Sequence, residues 1–211
     1  MNKIQKIAII GGTGKAGKYL VNELVKQEFP IKVLARNPEN LLGHSPLIEV
    51  IPGNARDYNS ILKLLTGCDA VISALGPSGS EPDTCSVAVG HIIKAMQELH
   101  IKRYIELAGL AIDTPDDKKG WKTRLVVALM KRLFPAIIND RQKAYELLSA
   151  SDLSWTIVRS SMIKLTDTKR VLKTSLSDCP GSRISAADLT VFLIDQLTDE
   201  RFIRKCPFVA S

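Results

Sequence analysis

Three glycines at intervals of three, Gly11, Gly14 and Gly17, are the residues whose type and spacing first suggest chemistry. They lie in Gly11-Gly12-Thr13-Gly14-Lys15-Ala16-Gly17, between the apolar run Ile7-Ala8-Ile9-Ile10 and the helix-patterned Tyr19-Leu20-Val21-Asn22-Glu23-Leu24-Val25. Glycine lets a backbone turn sharply and approach a bound group closely, and the free N–H groups and positive dipole of a helix N-terminus attract phosphate. A buried strand, a glycine turn and a helix in that order make a dinucleotide-binding unit with its pyrophosphate at the turn. The second signal is Arg36, at the end of another apolar run, Ile31-Lys32-Val33-Leu34-Ala35. An acidic residue there would accept from a ribose 2′-hydroxyl, whereas a planar guanidinium can bind a 2′-phosphate through two parallel hydrogen bonds. Lys15 adds charge within the loop, so the pattern predicts NADP(H) in preference to NAD(H); the plainer role for Arg36 is an exposed arginine at a strand end.

The elements that must hold these residues alternate along the chain. Strand patterns fall near 5–10, 31–35, 47–51, 69–74, 102–107 and 155–158, with helical patterns between them, which calls for a parallel sheet covered on both faces. The segment from Thr84 to His100 carries Val87, Val89, Ile92, Ile93, Met96 and Leu99 at helical spacing, and Met96 is expected in the core. Gly120 to Ala150 is helical in pattern, but Pro135 must break it, giving two helices. Lys118, Lys119, Lys122, Arg124, Lys131 and Arg132 interleave with Leu125-Val126-Val127-Ala128-Leu129-Met130 and are expected to form the solvated edge of a long helix, the alternatives being a partner surface or the rim of an anionic-substrate site.

A chain of 211 residues, 45% hydrophobic, is long enough to bury one full core. The expectation is a single domain over residues 1–211, with a small appended substrate lobe from about 160–211. No run approaches a membrane span and the first residues lack a signal-like apolar region, which predicts a cytoplasmic protein without a membrane span. Cys68, Cys85, Cys179 and Cys206 are scattered without metal-ligand or redox spacing, so no metal site is expected. The net charge of +7 lacks any helix-turn-helix or aromatic-interleaved pattern, which makes nucleic acid an unlikely partner.

The order of several short motifs carries a resemblance over nearly the whole chain. Besides the glycine loop, these are Leu34-Ala35-Arg36-Asn37-Pro38, Pro52-Gly53-Asn54-Ala55-Arg56-Asp57, Asp69-Ala70-Val71-Ile72-Ser73-Ala74-Leu75-Gly76, Ser151 to Arg159, and Arg183-Ile184-Ser185-Ala186-Ala187-Asp188-Leu189. The chain resembles the atypical short-chain dehydrogenase/reductases, NmrA-like, and within them the small NAD(P)H-binding group that includes biliverdin-IXβ/flavin reductase. That resemblance implies a Rossmann-like doubly wound α/β sheet with helices on both faces and a small C-terminal substrate lobe. It places Asn54 and Ala55 beside an adenine, with Asn54 standing where the family often has aspartate. Ala74, Leu75 and Gly76 form the small-residue turn against the nucleotide, and the loop Gly76-Pro77-Ser78-Gly79-Ser80 lies over it. Asp57 is expected to cap the following helix.

The resemblance also implies where catalytic groups should stand. Relatives in the wider superfamily use a Ser after the fifth strand and a Tyr-x-x-x-Lys pair on the next helix, and here those positions hold Gly109, Asn139 and Lys143. Lys143 is thus the catalytic candidate and a cofactor contact, without the usual proton donor. Tyr145, two residues later, faces another side of the helix and is expected in a core or surface role. The loop Arg159-Ser160-Ser161-Met162-Ile163 should line the acceptor site, and Glu106 on the fifth strand, close to the cofactor edge, is a second candidate whose plainer role is to pair with Arg159 or Lys143. The implied function is an oxidoreductase passing hydride from NADPH to a flavin, a quinone or a similar conjugated acceptor. The alternatives are a catalytically degenerate NADP(H)-binding sensor of the NmrA type and, more weakly, a sugar-nucleotide epimerase or dehydratase.

Overall fold

The computed structural model describes residues 4–41, 45–77 and 81–211. Each apolar run becomes a strand: β1 (Ile7–Ile10), β2 (Ile31–Ala35), β3 (Ile48–Pro52), β4 (Ala70–Ser73), β5 (Arg103–Ala108) and β6 (Ser154–Ser160). They pair in parallel in the order β3-β2-β1-β4-β5-β6, with crossovers in both directions from β1. This is the doubly wound arrangement, whose topological switch point lies beside the first strand at the carboxyl edge.

Both faces of the sheet are covered, which is why β1 is apolar at all four positions rather than alternating. Ile7 and Ile9 face α1 (Lys15–Lys26), whose Leu20, Val21 and Leu24 recur at helical spacing, and α6 (Ala186–Asp195) with Leu189, Phe192 and Leu193. Ala8 and Ile10 face α2 (Tyr58–Leu65), α3 (Thr84–Glu98) and α5 (Pro135–Ala150), where Ile61, Leu64, Ile92, Met96 and Leu148 close the second core. Asp57 caps α2 by accepting from the N–H groups of Asn59 and Ser60, as expected. Helix α3 is capped from outside: Asp140 of α5 accepts from the N–H groups of Cys85 and Ser86 at 2.8 and 3.0 Å. Pro135 separates α4 (Trp121–Leu133) from α5 and occupies the first turn of the latter, where its missing N–H has no intrahelical partner to lose.

The chain after β6 divides its elements between two places. β10 (Phe208–Ala210) pairs in parallel with the end of β6, and β8 (Lys173–Ser175) pairs antiparallel with β10, so both extend the central sheet. The pairing with β10 explains why β6 reaches Ser160, two residues beyond its sequence pattern. β7 (Met162–Lys164) and β9 (Arg183–Ser185) form a separate two-stranded sheet. Cys68, Cys85 and Cys206 are buried free thiols, and burial pushes them up to about 11, 12 and 12. Among the described residues no group of His, Cys, Asp or Glu is arranged to hold a metal, and no helix is long and apolar enough to cross a membrane.

Lys122, Arg124, Lys131 and Arg132 of α4 are exposed, as expected, but one residue that precedes the helix is not. Lys119 is not solvated: its ammonium lies buried between Asp113 (2.7 Å) and Asp117 (3.0 Å) and donates to the Ile112 carbonyl. The interleaved apolar run is largely exposed too: Leu125, Val126 and Leu129 are exposed, and only Thr123 and Val127 of this helix are buried. The helix touches the body along a narrow strip over Ala111 and Ile138, too little to cover its whole apolar arc.

Candidate active site

At the carboxyl edge of β1 and β4 two cavities meet. The first, about 200 Å³, is lined from β1 and its turn by Ile10, Gly11, Thr13 and Gly14, from β2 by Leu34 and Arg36, and from the β3 end by Gly53, Asn54 and Ala55. The second, about 540 Å³, runs from Lys15 and Ala16 past Leu107, Ala108 and Gly109 to Ser160, Ser161, Met162 and Ile163, roofed by Val126 and Met130 of α4. Gly14, Ala74, Leu75 and Gly76 line both, so the two form one groove across the switch point. The end that carries Arg36 is of mixed polarity; the other is mostly apolar.

The glycines of the loop stand where the backbone packs closely. Gly11 has φ +77°, and a Cβ there would lie 2.5 Å from the Ala74 carbonyl oxygen. A Cβ on Gly17 would stand 2.0 Å from the Gly11 carbonyl oxygen, so only glycine lets α1 start this close to the turn. Gly12 is buried against Val33 and shapes the loop from behind, while Thr13 and Gly14 face the first cavity. Gly14 ends the loop as an N-cap with no side chain, which leaves the first N–H groups of α1 open to the groove. Arg36 is exposed at the cavity rim, without a carboxylate within 4.0 Å among the described residues. Asn54 accepts from the Arg56 N–H through its side-chain oxygen, which fixes the amide plane and leaves its NH2 as a donor at the cavity wall. Glu81, the carboxylate in this lining, is neutralised by Arg56 at 3.3 Å. These features suit an anionic dinucleotide: a close-approach turn, open helix amides and a cation at the far end. Ser78, Gly79 and Ser80, expected over the cofactor, lie outside the described residues; Gly76 and Pro77 line the first cavity.

Three side chains stand elsewhere than the sequence suggested. Glu106 is buried and pairs with neither Arg159 nor Lys143; Arg141 donates to its Oε1 at 2.8 Å and Tyr104 to its Oε2 at 3.2 Å. Burial pushes the Glu106 carboxyl up, and Arg141 and the Tyr104 hydroxyl oppose that rise. Arg159 is fully buried, lies over the Phe208 ring, and donates to Asp117 at 2.7 Å and to the Cys206 carbonyl, so it holds β6 to β10 rather than facing the groove. Lys143 is exposed and lines neither cavity. The reason is helical phase. Arg141 shares the inward face with Ile138, Tyr145 and Leu148, and two residues further on Lys143 has rotated by about 200°.

Arg141 is the site residue that motif matching missed, although the spacing of its apolar neighbours carried the signal. It lines the second cavity, and its other Nη donates to the Leu75 carbonyl in the turn shared by both cavities. Asn139 is exposed away from the groove, while Gly109 lines it with nothing within 4 Å of an added Cβ. Tyr145 stands edge-on to Trp155, a packing role.

A doubly wound sheet with a glycine turn after its first strand and a groove over its switch point defines the class of Rossmann-like α/β proteins. Within that class the chain belongs to the NAD(P)H-binding family, which it matches over residues 11–200, in agreement with the resemblance read from its motifs. Among curated proteins it is similar to the (4-alkanoyl-5-oxo-2,5-dihydrofuran-3-yl)methyl phosphate reductase of Streptomyces griseus subsp. griseus, 26% identical over 178 residues, which cover 84% of this chain and 52% of that protein. The chain therefore spans about half the length of that relative. Among solved structures it is similar to a wide-type short-chain dehydrogenase/reductase from Veillonella parvula in complex with NADP (TM-score 0.76, 20% identity, 99% and 95% of the two chains). It is also similar to ChuY, an anaerobillin reductase from Escherichia coli O157:H7 (TM-score 0.81, 15% identity, 97% and 96%). Both likenesses are of fold.

Proposed function

We propose that this protein is a reductase that takes NADPH in preference to NADH and passes hydride to a flavin, a quinone or a similar conjugated acceptor. The observation that carries this reading is the continuity of a cavity of mixed polarity ending at Arg36 with a mostly apolar cavity of about 540 Å³, through the Ala74-Leu75-Gly76 turn. NADPH, when bound, supplies the hydride. The protein's part is orientation. The open amides of α1 and Lys15 would hold the pyrophosphate, Arg36 the 2′-phosphate, and the Asn54 amide the adenine edge. Leu107, Ile163, Val126 and Met130 form apolar walls that align a flat acceptor. Arg141, held by Glu106, fixes the Leu75 carbonyl and so the width of the passage between the cavities.

No tyrosine lines the second cavity among the described residues, and the serine position of the superfamily is Gly109. An electron-poor conjugated ring suits this site because it accepts hydride readily and takes its proton from solvent. The kinship with a curated reductase supports the same reading. The test is NADPH consumption by the purified protein against flavins, quinones and linear tetrapyrroles, with an enzyme-free control. Turnover on one class is the expected result. Tight NADPH binding with no turnover on any of them overturns it in favour of a cofactor-occupancy sensor.

A further inference from the structure

The largest feature that the groove does not use is the outer face of α4. Trp121, Leu125, Leu129 and Leu133 follow one another at four-residue intervals, and with Phe134 they are between 53% and 72% exposed. At 100° per residue Trp121, Leu125, Leu129, Leu133 and Val126 fall within an arc of about 140°, and Phe134 follows at the C-cap. Isolated apolar residues on a surface need no explanation, but a continuous stripe along a 13-residue helix marks something that covers it.

The charges around the stripe say what. No carboxylate occurs between Lys118 and Asn139, while Lys122 and Arg132 rise from the first and last turns within the apolar arc and Arg124 flanks it. None of these three cations has a carboxylate within 4.0 Å among the described residues, and the Lys122 ammonium sits 5.5 Å from the Trp121 ring centre. Lysine and arginine with long apolar stems, among leucines and a tryptophan, match an interfacial helix whose rings and stems enter the headgroup boundary while its cations meet lipid phosphates. A second copy fits less well, because stripe against stripe brings the same unpaired cations together on both sides.

We propose that α4 is a docking face for an anionic lipid bilayer, on which the protein lies peripherally with the helix in the plane of the surface. Because Val126 and Met130 of the same helix roof the second cavity, docking sets that cavity beside the lipid. The proposal does not depend on the reductase reading, and its test needs no cofactor.

The experiment is co-sedimentation of the full chain with vesicles of phosphatidylcholine alone and with a large fraction of phosphatidylglycerol, at low and high salt, with tryptophan emission read in parallel. Trp155 is buried, so a blue shift on binding reports Trp121. The expected result is binding to the anionic vesicles about tenfold or more tighter than to neutral ones. Leu125→Glu with Leu129→Glu should abolish the pelleting, and Lys122→Glu with Arg132→Glu should remove the lipid preference. Both pairs are exposed, so circular dichroism should stay unchanged. No binding by the wild-type chain, or binding indifferent to the leucine substitutions, overturns the proposal. A dimer in sedimentation velocity that the leucine substitutions dissolve, without vesicle binding, assigns the stripe to a second copy instead.

Discussion

Arg141 Nη1 lies 2.8 Å from Glu106 Oε1, and this buried pair ties α5 to β5 while the same guanidinium holds the Leu75 carbonyl of the turn between the cavities. Two charged groups taken from water gain little by pairing, but either one left alone is costly. The pair therefore serves better as a strut that sets geometry than as a source of stability.

Arg141→Leu should cost about 3–5 kcal/mol, because it strands a buried carboxylate. The double variant Arg141→Leu with Glu106→Leu should recover much of that loss, a coupling that thermal unfolding measures directly. The pH dependence has a definite sign. Burial holds the Glu106 carboxyl above its unfolded value, so its protonated form is favoured by folding at low pH and that contribution is lost as pH rises through the folded pKa. Without Arg141 to oppose the burial the rise is larger. The single variant should therefore lose stability relative to wild type as pH goes from about 4 to neutral; a gap independent of pH would contradict the assigned pairing.

Arg36→Glu tests the cofactor preference. Removing a charge-assisted bidentate contact worth about 1.5–3 kcal/mol, and placing a carboxylate opposite a phosphate, should weaken NADPH binding by roughly ten- to a hundredfold or more. NADH has no 2′-phosphate and should be little affected. Fluorescence titration of both nucleotides decides it, and equal losses would remove Arg36 from the 2′-phosphate role.

The glycines separate close packing from open space. Gly17→Ala would place its Cβ 2.0 Å from the Gly11 carbonyl oxygen, so α1 and the turn must move apart. A loss of about 1–3 kcal/mol in stability and a large loss of nucleotide affinity are expected. Gly109→Ser, at a position where an added Cβ meets nothing within 4 Å, should leave the melting temperature within about 1–2 °C of wild type. Calorimetry with and without NADPH reads both, and a well-tolerated Gly17→Ala would show that the loop adapts.

The sequence by itself determined what depends on neighbours along the chain. Ile7 to Val25 reads as strand, turn and helix because an apolar run, three glycines and a helical stripe each impose their own local geometry, and Asp57 caps α2 by reaching amides two and three residues on. Strand alternation with helices then left a parallel sheet as the way to bury both sets of apolar faces. Tertiary structure decided whatever depends on partners distant in sequence. β8 and β10 are three residues each, too short to carry a period, and exist through pairing with β6 and each other. Arg159 and Lys119 were read as chemistry or solvated charge, yet both converge on Asp117, which no spacing in the chain announces. In α5 a motif register pointed to Lys143, while the packing phase of Ile138, Tyr145 and Leu148 turned Arg141 inward to Glu106. A motif assigns residue types to positions, but the rotation of a helix against its sheet is set by which side chains the core accepts.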